Sequence, residues 1–350
     1  MHYIFKLMKR CPCSFKTAVW ALLVVAFLFA SGCKELAVPP AGSYSEILLV
    51  TEEGKESSLM TLIVPWLTKE KNYVLDKEKP FTVSAIRAAD LGEMPAVKNI
   101  VICGVADPLT DVGERIIMLI GESGLSKVKA GEANILKREN LPAPGQLTVI
   151  VTASSEGELE RVIEERGREL EGIIESSCRN RLRRFFMSYP NKTVTDHLYR
   201  TYGFAVEVPT LYRLFSESRT PPGVELLREN PSRLLGIFWV DWDKQPTLAD
   251  KNVLFDIRRK YVWERYNKDA MDSTQVWFSE EQLGEYPAVK MEGYWYNTTA
   301  TAGGFYQTFF VFQENEELLW AVDLLVYAPG FPKHPHFREL LALAETFRYE

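Results

Sequence analysis

The hydrophobic pattern opens with thirteen uncharged positions, Ala18 to Ala30. Lys6, Lys9, Arg10 and Lys16 precede them and Ser31-Gly32-Cys33 follows. At about 1.5 Å rise per residue the run makes roughly 20 Å of helix, short of the roughly 30 Å hydrocarbon core of a bilayer. A basic start, a short apolar core and small residues at its end form an export signal rather than a membrane span. Lys34 to Ser43, with Pro39-Pro40-Ala41-Gly42, reads as a tether.

From residue 44 to 200, strand and helix patterns alternate. Glu46–Thr51, Phe81–Ile86, Val97–Val105 and Gln146–Thr152 read as strands, and the last two are apolar on both faces, as central strands are. Ser57–Thr68 carries Leu59, Leu62, Ile63 and Trp66 at helical spacing, with Pro65 against it. Val112–Ile120 reads as a helix closed by Gly121. Ser155 and Glu158 make a capping box at the head of the longest element. There Leu159, Val162, Ile163, Leu170, Ile173, Ile174, Cys178, Leu182, Phe185 and Phe186 recur at steps of three and four. About 30 residues of helix reach about 45 Å. Gly167 and Gly172 are candidate bends, and Glu164–Arg168 and Glu175–Arg179 are i,i+4 pairs.

The pattern changes at Tyr202-Gly203. Phe204–Val208, Leu211–Phe215 and the aromatic Leu234–Trp242 read as strands, and Pro246–Ala270 as a helix with Leu248, Val253, Leu254, Ile257, Tyr261 and Val262 inward. Three strands follow, Val289–Tyr296, Phe305–Gln313 and Leu318–Tyr327, the last two joined by a turn at Glu314-Asn315-Glu316. Pro335 opens a closing helix, His336–Phe347. The expected fold class is α+β. Behind a signal (1–32) and tether (33–43) stand an N-terminal α/β domain with a long amphipathic helix (44–200) and a C-terminal antiparallel sheet packed by helices (201–350).

Composition, 46% apolar and 25% charged, is that of a globular chain. The whole chain carries −6, and the loss of Lys6, Lys9, Arg10 and Lys16 with the signal takes it to −10. Such a body repels nucleic-acid phosphates and anionic lipid alike, so no nucleic-acid partner is expected. Of the five cysteines, Cys11 and Cys13 leave with the signal. Cys103, in a buried strand pattern, and Cys178, on the long helix, read as free thiols, although an oxidising envelope permits one disulfide.

Chemistry is sparse. Gly121-Glu122-Ser123-Gly124 has the wrong spacing for a nucleophile elbow, and no P-loop, dinucleotide fingerprint or His-Glu-x-x-His occurs. Lys333-His334-Pro335-His336 offers two imidazoles but reads as a solvated loop before the closing helix. Asp241 and Asp243 are a carboxylate pair or solvated turn acids. Arg179, Arg181, Arg183 and Arg184 form either a phosphate or lipopolysaccharide site or a solvated face at a helix C-terminus. No catalytic residue, metal ligand or cofactor is assigned.

Aromatic residues crowd the second half. Either both faces of its strands are core, or one is a binding surface for sugar, peptide or lipid. The candidate surface is Tyr294, Trp295, Gly303, Gly304, Phe305 and Tyr327, beside the small, polar Thr298–Gly304 loop, which otherwise is a plain turn. Asn191-Lys192-Thr193 and Asn297-Thr298-Thr299 have the form of glycosylation sequons, and Asp272-Ser273-Thr274 resembles the O-glycosylation triplet of Bacteroidota exported proteins.

Ser31-Gly32-Cys33 after the apolar run looks like a bacterial lipobox, with Ala30 where Leu is commoner. The resemblance implies that Cys33 becomes the acylated N-terminus, carrying palmitate-type chains into the bilayer. Lys34-Glu35 lacks the Asp linked to inner-membrane retention, so the outer membrane is expected. Glu292-Gly293-Tyr294-Trp295, Gly303-Gly304-Phe305, Leu325-Val326-Tyr327-Ala328-Pro329 and Phe337-Arg338-Glu339-Leu340 are similar to the close of a domain-of-unknown-function family (DUF 4837) of Bacteroidota lipoproteins. Glu292 stands where that family has Arg, and no Pro separates Gly304 from Phe305. The second half also resembles the PsbP/Mog1-like sandwich, with Gly203-Phe204, Val208-Pro209, a Tyr-Ala-Pro and a closing helix ending in Phe. These likenesses imply an envelope lipoprotein that binds or scaffolds, its partner an envelope protein or a glycan. The alternative is an envelope enzyme acting on glycan or peptide through carboxylates such as Asp241, Asp243 or Glu292. A structural or assembly protein without a small ligand is a third reading.

Overall fold

The computed structural model describes residues 42–69, 71–72, 77–91, 97–141 and 143–349. The export-signal run, Cys33 and the tether up to residue 41 lie outside them. β1 (Glu46–Thr51) is followed by α1 (Glu56–Leu67), a short ladder of β2 (Lys71–Asn72) with β3 (Lys77–Glu78), and β4 (Thr82–Arg87). β5 (Asn99–Val105), α2 (Asp111–Lys129), β6 (Ile135–Glu139) and β7 (Leu147–Ala153) come next. They form a sheet in the order β4-β1-β5-β7-β6, parallel except where β6 meets β7. β5 and β7 lie inside it and are buried on both faces, which their unbroken apolar runs require. α2 does not stop at Gly121. That residue takes φ +69°, which kinks the helix, and the chain winds on to bury Val128.

α3 (Glu156–Met187) is the long helix, 32 residues. Ser155 Oγ accepts from Glu158 N, but the Glu158 carboxylate accepts from Ser154 rather than from Ser155, so half of the expected box forms. Gly167 does not break the helix. It makes room for Trp66 of α1: a Cβ there would stand 2.2 Å from the indole Cδ1. Leu159 to Cys178 pack against β5, β7 and α1, whereas Leu182, Phe186 and Met187 belong to a second core. One helix thus supplies side chains to two cores.

The second core is built on α4 (Lys192–Tyr202), β8 (Phe204–Ala205), β9 (Arg213–Arg219), β10 (Pro222–Arg228), β11 (Ser232–Asp241), α5 (Lys251–Arg265), β12 (Asp269–Leu283), β13 (Tyr286–Asn297), β14 (Gly303–Gln313), β15 (Leu318–Tyr327), α6 (His334–Ala344) and β16 (Arg348–Tyr349). The order β12-β13-β14-β15-β11-β10-β9 makes a seven-stranded, antiparallel sheet. The fold is α+β. One face packs Phe305, Phe309 and Val322 under Leu198 of α4 and Phe337 and Leu340 of α6. The other packs Phe238, Met291 and Phe310 under Leu254 and Val262 of α5. Both faces of the aromatic strands are therefore core. The helix expected over Pro246–Ala270 is shorter, because a capping box of Thr247 and Asp250 heads a 3-10 turn before it and strand β12 begins at Asp269.

Ion pairs join α3 to α6. Glu175 does not pair with Arg179. It takes Arg338 Nε and Nη2 at 2.9 and 2.8 Å and His334 Nε2 at 2.8 Å. Burial would raise its carboxyl, but those two partners hold it well below the usual range. Arg179 turns to Glu345 at 2.8 Å. Arg181 is buried and donates to the carbonyls of Lys98 and Gly145, so it is a structural clamp and not part of a solvated face. His334 and His336 likewise depart from the solvated-loop reading: both lie in α6, His334 buried against Glu175 and His336 accepting at Nδ1 from Arg233 Nε at 3.1 Å. Cys103 and Cys178 are free and buried, and burial pushes the Cys103 thiol up to about 12.

His336 yields a pH prediction. Burial, then the positive charges of Arg233, Arg228 and Lys333, lower it from 6.5 to about 4. The unfolded chain thus binds the proton first, and stability falls as pH drops from about 6.5 to about 4. The expected loss is roughly 1–2 kcal/mol, less than full linkage because the ring is only partly buried. Urea unfolding of wild type and His336→Gln across this range checks it: the variant's profile should be flatter, and an equally steep one contradicts the assignment.

Candidate functional site

The six residues expected to form a binding surface do not share a face. In the register Trp295↔Gly304 and Tyr294↔Phe305↔Val326, alternate residues point to opposite sides of the sheet. Trp295 is buried on the α5 side, where its indole crosses Gly304, whose Cβ would lie 2.8 Å from Nε1, and comes 6.3 Å from the Tyr327 ring. Gly304 thus admits a side chain of its own protein rather than a partner's backbone. Phe305 is buried on the other side against Phe337, with Tyr294 edge-on to it at 5.5 Å. Gly303 is exposed. The Thr298–Gly304 loop is tied down locally: Asn297 Oδ1 accepts from Thr299 N and Ala300 N, and Thr298 Oγ1 donates to Lys268 O.

Glu292 is far from Asp241, the other carboxylate considered with it as acid and base. Asp241 is level with Leu318 and Gln313, hence with Tyr286. Glu292 lies six residues further along and three strands away, roughly 25 Å by sheet spacings. Two carboxyls of a glycosidase stand about 5–9 Å apart. Glu292 is also occupied, accepting from Gln307 Nε2 at 2.6 Å and pairing with Lys290 at 3.4 Å. Asp241 and Asp243 are exposed at the strand end. Among the described residues no group of three His, Cys, Asp or Glu side chains is placed to hold a metal ion.

The crevice at the carboxyl ends of the parallel strands, where open α/β sheets hold ligands, is small here. It measures about 40 Å³, and Lys55 and Glu156, paired at 2.9 Å, are part of its lining. A groove of about 580 Å³ runs instead between the start of α5 and β12. Phe255, Val276 and Phe278 give it apolar walls, and Lys251, Asn252 and Ser273 add polar groups, while the Trp277 ring turns to the other face of the sheet, edge-on to Tyr294 at 5.9 Å. An aromatic cleft with a few polar groups is the ordinary form of a binding site. Trp277 is 43% exposed although it lies in a strand.

The groove borders a sheet edge. β12 is the outermost strand, fifteen residues long, and no described strand pairs with its outer side. A bulge interrupts its register between Met271 and Val276, where Asp272 accepts from Thr274 N, and Glu280-Glu281 follow further on. Charges and bulges are the usual protection of an edge. Between them Val276-Trp277-Phe278-Ser279 carries neither. The sequence pattern does not predict this strand, since its polar positions hide the alternation; the signal that marks it is Val276-Trp277-Phe278 before the Leu283–Tyr286 turn.

Beneath the groove α5 is bolted to the sheet. Arg258 Nε and Nη2 donate to Asp323 of β15 at 2.8 and 3.0 Å, Thr308 Oγ1 donates to the same carboxylate at 2.6 Å, and the guanidinium lies 3.6 Å from the Tyr306 ring centre. Both ions are fully buried. Glu225 accepts from Tyr261 Oη and Arg265 Nε, each at 3.1 Å, further along the helix. These contacts hold one wall of the groove rigid.

Residues 191–346, from α4 through α6, match the family model of a domain of unknown function (DUF4837). No curated protein matches the chain.

Proposed function

With that domain as the premise, we propose that the chain is an envelope lipoprotein, held to a bacterial membrane through acylated Cys33, that binds an extended segment of another envelope protein along β12. The anchor rests on the Ala18–Cys33 run and the Pro-rich tether behind it. The observation that carries the binding role is the unprotected stretch Val276–Ser279 on an open sheet edge beside the aromatic groove. A peptide strand added there gains main-chain hydrogen bonds, and its alternate side chains fall toward Phe255 and Phe278. The neighbouring glutamates limit the added strand to a few residues and disfavour pairing of two copies through this edge.

A photo-crosslinking residue in place of Ser279, in the full-length protein in its own membrane, tests the reading. It should trap one discrete protein adduct, while the same residue at Ser218 on the opposite edge strand β9 should not. Phe278→Ala should weaken the adduct roughly tenfold or more, as removal of a central aromatic anchor does. No adduct from position 279, or equal adducts from both edges, would refute it.

A further inference from the structure

A second cavity, about 550 Å³, opens between α3, the β12–β13 hairpin and β16. Arg179 and Arg183 line it from one face of α3, four residues apart, and Arg348 lines it from β16. Arg179 gives its Nε to Glu345 at 2.8 Å. The guanidinium groups of Arg183 and Arg348 have no hydrogen bond or ion pair with a described residue. Glu285 and Glu345 are the acidic members of the lining, so three cations face two anions in a chain of net charge −6. Gln282 and Tyr286 add hydrogen-bonding groups.

Guanidinium groups that converge without partners repel one another, and an oxyanion between them removes that repulsion. Their planar forks match the oxygens of phosphate two at a time. We infer that this cleft binds a phosphate group through Arg183 and Arg348, with Arg179 held ready by Glu345. The space exceeds that of a phosphate ion, so the anion is the anchor of a larger phosphoester. It stands independently of the β12 groove, and either can fail without the other.

Calorimetric titration of the full-length protein with inorganic phosphate and with glucose 6-phosphate tests the inference. A parallel arm measures co-sedimentation with phosphatidylcholine vesicles with and without phosphatidic acid. Saturable phosphate binding is expected, weakened roughly tenfold or more in Arg183→Ala/Arg348→Ala, since each charged hydrogen bond is worth about a factor of ten. Arg184→Ala, on the same helix outside the cleft, should bind as wild type. Tighter binding of glucose 6-phosphate identifies a soluble phosphoester, whereas excess sedimentation with phosphatidic acid that the double variant loses identifies a lipid headgroup. Should the double variant fail to fold, Arg348→Ala alone, at an exposed position, is read in its place. No saturable binding of any probe, or an Arg184→Ala loss equal to that of the cleft variant, overturns the inference.

Discussion

Asp323→Ala is expected to lower the unfolding free energy by about 3–5 kcal/mol, because it strands the Arg258 charge in a site with no access to water. Arg258 Nη1, Tyr266 Oη and Tyr306 Oη already lack partners there, and a neutral hydroxyl cannot balance the guanidinium charge as the carboxylate does. The loss should come from α5 parting from the sheet, since Asp323 and Thr308 belong to β15 and β14 and Arg258 to the helix. Arg258→Met/Asp323→Leu should recover most of the stability, since a buried pair contributes little more than well-packed apolar side chains in its place. Chemical unfolding of the three proteins decides: a cost below about 1 kcal/mol for the single variant would mean that the guanidinium escapes to solvent, contrary to its burial.

Cys33→Ser is expected to abolish incorporation of labelled palmitate completely and to leave the leader uncleaved. Each buried methylene contributes about 0.8 kcal/mol to membrane binding, and two or more chains make a stable anchor where one does not. Loss of the leader would leave the body at a net charge of −10, which opposes an anionic surface as a whole, so the acyl chains and not overall charge would carry the anchor. Wild-type protein should therefore stay with membranes in high salt and leave only with detergent. Release by salt alone would show that charge, not acyl chains, holds it.

Legibility followed burial. β5, β7, β14 and β15 were readable because strands enclosed on both faces show unbroken apolar runs. α3 was readable from its three-and-four stripe, although its length concealed that it serves two cores. β12 was not readable, because an edge strand keeps few apolar positions and here a bulge shifts its phase. Gly121 misled because glycine ends helices and also permits a kink within one, and only tertiary packing of Val128 chooses. The ion pairs of Glu175 and Arg179 go to α6 and to Glu345 at its C-cap because burial against another element outweighs the weak i,i+4 attraction on a helix surface. The candidate site suffered similarly. Aromatic content marked the right half of the chain, but which rings face solvent depends on where α5 and α6 lie: Trp295 is buried, whereas Trp263, Trp277 and Tyr296 are among those left open.

Mass spectrometry of the N-terminal peptide of protein purified from its native membrane tests the central claim most directly. The account predicts a chain that begins at Cys33 and carries fatty acyl groups on that residue, with residues 1–32 gone. A bare Cys33, or a leader still in place, would contradict it.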